Sequence, residues 1–271
     1  MILNYINWDV NPDIFSFNLP LLGDVTVRYY GLLWAVGFIV GYFIMLKIFK
    51  KEGIKVAVLD QLTTYMVLST VIGARLGHVL FYQPAYYLKH PLEIFATWEG
   101  GMASHGAAIG ILVGLYLFSR KRKKPYIWIL DRIVIVVALA GMFIRLGNLM
   151  NSEIFGDVTN LPWGFYFRRI PYAANIPHHP TQLYEAISYL IIFFILHRIY
   201  YKTDGKFKPG TIFGWFLILL FGVRFLIEFV KEPQVGFEQN MPINMGQILS
   251  IPFIIIGIII LTRKRKQNYK A

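Results

Sequence analysis

Seven apolar runs, each near the ~20 residues needed to cross a hydrocarbon core, constrain this chain more than any other feature. They lie at about 28–49, 61–82, 102–119, 127–150, 182–201, 211–230 and 246–262; the third is short and glycine-rich. In lipid every backbone polar group must be satisfied inside the protein, so such runs predict helices. Of 271 residues 56% are apolar and only 15% charged, with 22 Phe and 17 Tyr, which excludes a soluble globular fold. The expected fold is an all-α integral membrane protein, a seven-span helical bundle forming a single polytopic domain over 1–271.

The formal net charge of +12 is concentrated in short linkers. Lys47, Lys50, Lys51 and Lys55 follow the first run, Arg120 to Lys124 the third, Arg198, Lys202, Lys206 and Lys208 the fifth, and Arg263 to Lys266 with Lys270 the seventh. These clusters hold two-thirds of the 27 Lys and Arg, and with seven spans they all fall on one side. The positive-inside rule then sets the amino terminus outside and the carboxyl terminus in the cytoplasm, and the charge reads as membrane orientation, not nucleic-acid binding. The outer linkers are the elaborate ones: 83–101, the long loop segment 151–181 and 231–245. Long ordered loops of this kind carry function more often than not. Residues 1–26, interrupted by Pro12 and Pro20, are too broken to span and are expected at the interface; no cleavable signal is expected in MILNYINWDVNPDIF. The absence of cysteine excludes disulfides, thiolate metal sites and a cysteine nucleophile of the chain's own. No metal cluster or cofactor is expected.

Within this apolar background the stretch IRLGNLMNSEIFG, 144–156, stands out. A charged side chain deep in a bilayer costs from ~3 to more than ~10 kcal/mol, so Arg145 requires a partner, water or ligand. Asn148, three residues on, shares its helix face. At 1.5 Å per residue Arg224, Arg75 and Arg145 lie roughly 20, 21 and 27 Å along their spans from the cytoplasmic side, all in the outer half. Tyr30, Ser104, His105, Asn151, Glu153, Gln182 and Glu185 fall at the same level. One polar layer shared by several helices, with Gly73, Gly77, Gly101, Gly106 and Gly147 permitting close approach, describes a cavity for an anionic lipid head group. Plainer roles compete: Arg75 can snorkel or pair with a glutamate, Arg224 and Glu228 can form an i, i+4 ion pair, His105 can pack, His78 can be structural, and Asp131 and Arg132 can anchor the fourth span.

The residues at this level resemble a family signature. Arg145, Asn148, Asn151, Glu153 and Gly156 match the spacing found in bacterial prolipoprotein diacylglyceryl transferases. Further blocks agree in order: VRYYGLLWAVGF at 27–38, GARLGHVLFY at 73–82, WEGGMASHG at 98–106, LPWG at 161–164, HHPTQLYEA at 178–186, GVRFLIEF at 222–229 and MGQILSIP at 245–252. The resemblance implies a multi-pass enzyme of the bacterial plasma membrane. Its partners would be phosphatidylglycerol, the lipobox peptide of a preprolipoprotein and membrane lipids, with no nucleic acid. It would transfer the diacylglyceryl group to the lipobox thiol and release glycerol phosphate. Arg145, Arg224, His105 and Tyr30 are then the expected catalytic residues. Arg145, Asn148, Asn151, Glu153, Gly156 and Glu228 are expected to bind substrate, with Glu153 and Glu228 orienting the arginines. An anionic-lipid transporter or flippase is the alternative. It would require polar residues continuing to the cytoplasmic side, where the spans are nearly uniformly apolar, and an inverted repeat is not evident.

Overall fold

The computed structural model describes residues 5–19, 23–97, 100–232 and 241–263. The basic residues beyond Arg263 and the pair Trp98 and Glu99 that open the block at 98–106 lie outside the described residues. In chain order the elements are β1 (Ile6–Trp8), β2 (Asp13–Leu19), β3 (Gly23–Arg28), α1 (Tyr29–Lys51), α2 (Val56–Phe81), α3 (Pro84–Lys89) and α4 (Ser104–Arg122). They continue with α5 (Tyr126–Met150), β4 (Phe165–Phe167), α6 (Thr181–Lys202), α7 (Thr211–Ile227) and α8 (Met245–Thr262). Short 3-10 turns cover Pro91–Phe95 and Glu228–Val230. Helices dominate, as the apolar runs require. Among the described residues strands occur only in the amino-terminal segment, expected to lie at the interface, and in the loop before α6.

Among the described residues six helices are long and apolar enough to cross a membrane: α1, α2, α5, α6, α8, and α7 extended to Val230. The chain is a multi-pass membrane protein. The run expected at 102–119 is helical as α4, but α4 carries glycines at 106, 110 and 114 and ends in Arg120, Lys121 and Arg122. Its apolar side-chain content is low because its face toward α2 is built from hydrogen atoms. A Cβ added to Gly73 of α2 would stand 2.5 Å from Gly106 O, and one added to Gly110 would stand 2.2 Å from Ser69 O. The two backbones therefore touch, which is how helices associate where lipid removes the hydrophobic drive.

The chain forms two compact units, 45–130 and 1–44 with 131–271. The first is built on α2 and α4. The second contains α6, α7 and α8. In it Asp131, fully buried, accepts hydrogen bonds from Gly210 N (2.7 Å) and Phe213 N (2.9 Å). These are the first free N–H groups of α7, so Asp131 is a helix cap supplied from another helix, where an anchor was expected. β1 pairs in parallel with β4, and Trp8 Nε1 donates to Leu149 O at 2.9 Å. Leu149, Phe155, Phe165, Phe167 and Ala173 pack as one apolar cluster against Trp8, Ile170 and Leu183, tying the 151–181 loop to the end of α5. β2 and β3 form an antiparallel hairpin closed by an Arg28–Asp13 ion pair of 2.9 Å.

The glycine contact makes a direct expectation. Gly110→Ala should lower the thermal midpoint of the detergent-solubilised protein, because overpacking of about 1–3 kcal/mol exceeds the ~1 kcal/mol gain in helix propensity. Gly31→Ala, in α1 with nothing within 4 Å of its Cβ position, should leave the midpoint unchanged or raise it. Equal behaviour of the two variants would refute the close contact.

Candidate active site

The last turns of α5 set the site. Glu153 N bonds Asn148 O at 3.0 Å and Ser152 N bonds Leu149 O at 3.0 Å, with Ser152 left-handed at φ 53°. This is a Schellman ending, which satisfies the last carbonyls of α5 and turns the chain back on the helix. Glu153 is thereby folded against the preceding turn. Its Oε1 accepts from Asn148 Nδ2 at 2.8 Å and from Asn151 Nδ2 at 3.2 Å. Asn148 Oδ1 in turn accepts from an Arg145 guanidinium nitrogen at 3.2 Å, so the shared face expected for Arg145 and Asn148 is observed. Gly147 lets Tyr30 approach from α1: a Cβ there would stand 2.7 Å from the Tyr30 ring. The Tyr30 hydroxyl lies within electrostatic reach of both Glu153 and Arg145.

Arg145 finds its counter-charge on α6. Its Nε lies 2.8 Å from Glu185 Oε2, a close ion pair off the line of a hydrogen bond. Glu185 is fully buried, and its other oxygen accepts from Tyr189 OH at 3.3 Å and faces Lys231 Nζ at 3.9 Å. Lys231 also stands 3.4 Å from Glu228 Oε2. Burial holds the Lys231 ammonium below the ordinary lysine range against the pull of Glu185 and Glu228, while Arg145 and Arg224 add to the depression. Arg224 thus belongs to the cluster but has no ion-pair partner among the described residues, and its Nε is buried without a hydrogen-bond acceptor.

The i, i+4 pair expected between Arg224 and Glu228 is replaced by Glu228 with Lys231. α7 ends at Ile227, and the 3-10 turn over Glu228–Val230 leads into Lys231, whose Nζ lies beside the Glu228 carboxylate. Glu228 instead packs on the start of α8, where a Cβ on Gly246 would fall 2.2 Å from its carboxylate. Of the two carboxylates expected to orient the arginines, Glu153 acts on Arg145 through Asn148 and Glu228 on the lysine.

Gly156 contributes space. Its N–H bonds His179 O at 2.8 Å, its carbonyl meets His178 Nδ1 at 2.8 Å, and its backbone bridges to Lys231. A Cβ would collide with Val230 O at 2.2 Å, so any side chain would part the loop from the end of α7.

His105 belongs to the 45–130 unit, exposed near the start of α4, with its ring 5.2 Å from Phe81 and 5.8 Å from Tyr82. Arg75, in the same unit, does not reach the surface, and among the described residues it meets no carboxylate. It is buried, donates to Ile94 O (2.8 Å), Gly100 O (2.7 Å), Gly101 O and Glu93 O, and lies over the Tyr87 ring. Arg75 is a backbone organiser that folds the 83–101 loop. Beside it an open cavity of about 740 Å³ is lined by His78, Tyr82, Tyr86, Tyr87 and Glu93 among others.

Sequence reasoning missed Lys231 and gave Glu185 no partner. Four ionisable groups brought together from α5, α6 and the end of α7 cannot be paired by spacing within one helix. Among the described residues no cluster of His, Cys, Asp and Glu suited to a metal occurs.

The fold and this buried ionic cluster define a multi-pass membrane protein with a built polar site inside its spans. Residues 17–263 match the family model for prolipoprotein diacylglyceryl transferase. The chain is 45% identical to the phosphatidylglycerol–prolipoprotein diacylglyceryl transferase of Tolumonas auensis over 96% of its own length and 98% of the relative's. It is 44% identical to the proteins of that name from Chloroherpeton thalassium (97% and 96% covered) and Porphyromonas gingivalis (97% and 95%). The chain belongs to the prolipoprotein diacylglyceryl transferase family.

Removing one member of a buried ion pair costs roughly 3–5 kcal/mol, because the remaining charge is left unpaired. Glu185→Leu should therefore destabilise the protein by about that much in detergent unfolding, and adding Lys231→Met should recover part of the loss. A double variant no better than the single would show that Lys231 does not draw on Glu185.

Proposed function

We propose that this chain transfers the diacylglyceryl group of phosphatidylglycerol to the lipobox cysteine thiol of preprolipoproteins, forming a thioether and releasing glycerol phosphate. The observation that carries the reading is Arg224, a guanidinium with a buried unpartnered Nε beside the Arg145, Glu185 and Lys231 cluster, in a member of this family. The thiol sulfur attacks the glycerol carbon and the carbon–oxygen bond to phosphate breaks. Charge on the departing phosphate grows from about −1 toward −2. Cations that meet it gain interaction as the bond breaks, which is the differential binding that raises rate. Arg145 offers a planar fork held by Glu185 and Asn148, and Arg224 supplies the second cation. Asn148 and Asn151 donate to phosphate or glycerol oxygens, Glu153 holds both amides in place, and Tyr30 donates to the head group or positions the thiol. Gly156 and Glu228 act through the loop and Lys231.

His105 is assigned to the thiol, as base or by orientation. Its contribution is bounded: a thiol of pKa ~8.5 is already a few per cent ionised near neutral pH, so complete ionisation is worth on the order of 30-fold. We read α4 as the seventh span, its amino end outside and its basic end cytoplasmic, with the amino terminus of the chain outside and the carboxyl terminus in the cytoplasm of a bacterial plasma membrane. Every basic cluster then lies inside.

Purified protein incubated with phosphatidylglycerol and a lipobox peptide should add the mass of one diacylglyceryl group to the peptide. Arg145→Lys keeps charge and loses the fork, so turnover should fall more than tenfold with normal membrane insertion. His105→Gln should lose less and recover as pH rises toward the thiol pKa; a pH profile parallel to the parent's would leave His105 without a proton role. A cytoplasm-only reporter should be active after Lys124 and silent near Asn175, and the reverse pattern would invert the topology.

A further inference from the structure

Ser152 (φ 53°) and Ile154 (φ 61°) hold left-handed backbone on either side of Glu153. Elsewhere among the described residues such backbone falls on five glycines and on Lys123 and Asp204, none of them β-branched. Ser152 is accounted for by the Schellman ending of α5, whose position after the cap demands this conformation. Ile154 is not. A β-branched side chain in the left-handed region is an outlier, and strain of this kind persists only where the surroundings over-determine it.

The over-determination comes from the first turn of α6. Gln182 Nε2 donates to Glu153 O at 2.7 Å and Thr181 Oγ1 donates to Ile154 O at 3.0 Å. Both residues are fully buried, and Gln182 Oε1 is left without a partner, an arrangement unfavourable to the fold taken alone. We infer that Gln182, supported by Thr181, is a positioning residue that pins the strained Ser152–Glu153–Ile154 turn so that the Glu153 carboxylate is presented to Asn148 and Asn151. The same helix face carries Glu185 one turn later. α6 therefore fixes Arg145 twice, directly through Glu185 and indirectly through Gln182, Glu153 and Asn148. The catalytic consequence rests on the proposed transfer reaction; the clamp itself is a property of the backbone.

The test uses the full chain in phosphatidylglycerol-containing nanodiscs. Gln182→Met, near-isosteric and without a donor, should speed amide exchange in a peptide covering 151–156 at least fivefold while the interior of α5 is unchanged. Its turnover with lipobox peptide should fall at least tenfold, with the half-saturating phosphatidylglycerol concentration moving less than threefold. Adding Ile154→Gly, which accepts the left-handed backbone freely, should restore turnover at least threefold. Ile154→Ala removes most of the same side chain but keeps the backbone penalty, and should restore nothing. Unchanged exchange in Gln182→Met would overturn the clamp. Faster exchange with parental turnover, or equal rescue by glycine and alanine, would overturn the positioning role. If Gln182→Met does not accumulate, Thr181→Val removes only the second hydrogen bond and should show the same pattern at smaller amplitude. A parent chain without transfer would overturn the proposed function and the catalytic half of this inference together, and exchange alone would then decide the clamp.

Discussion

The ion pair between Arg145 of α5 and Glu185 of α6 is the contact on which the rest of the site depends. In a low-dielectric interior neither charge is tolerable alone, and an imperfectly compensated pair is hardly better. The compensation is supplied by more charge and by amides: Lys231 approaches the second oxygen of Glu185, Tyr189 donates to it, and Asn148 accepts from the guanidinium. Each of these side chains is held from behind, Lys231 by Glu228 and Asn148 by Glu153. A chain of such contacts is stable only as a set, so it ties α5, α6 and the end of α7 into one arrangement.

The cluster also accounts for the path of the segment after α5. The segment after α5 must return Glu153 onto its own helix, and it does so through two left-handed residues and a glycine against which Val230, Thr181 and His179 close. Phe155 between them turns into the aromatic cluster with Phe165 and Phe167, stacking on Phe167 at 4.5 Å. Polar alignment and apolar burial thus alternate residue by residue along this short stretch: Glu153 faces the charges and Phe155 the rings. His178, buried with Nδ1 on Gly156 O, links the two halves.

Arg75 shows the opposite use of a buried guanidinium. It sits at the depth expected for a ligand-binding cation, yet its donors meet backbone carbonyls, made reachable by Gly100 and Gly101 in left-handed conformations. A Cβ on Gly101 would fall 2.7 Å from the guanidinium. Arg145 and Arg224 differ from Arg75 in what surrounds them: carboxylates and amides in one case, an unpartnered Nε in another, and carbonyls in the third. Depth alone is a necessary condition for a membrane site and says little about its chemistry.

The sequence by itself determined the helical membrane class, the approximate positions of the six helices long and apolar enough to span among the described residues, and the signature from Arg145 to Gly156. Each of these is written in local pattern: run length, residue type and spacing of three or four along one helix. It also placed Arg145 and Asn148 on one face, because a helix allows nothing else. The tertiary structure alone decided who pairs with whom. Glu185 with Arg145, Lys231 with Glu185, and Asp131 on the start of α7 join residues separated by tens of positions, and the strength of charge pairing depends on distance in space and local dielectric, neither of which spacing along the chain encodes. The same holds for α4, whose glycines show no partner in the sequence until α2 is seen to pack against them.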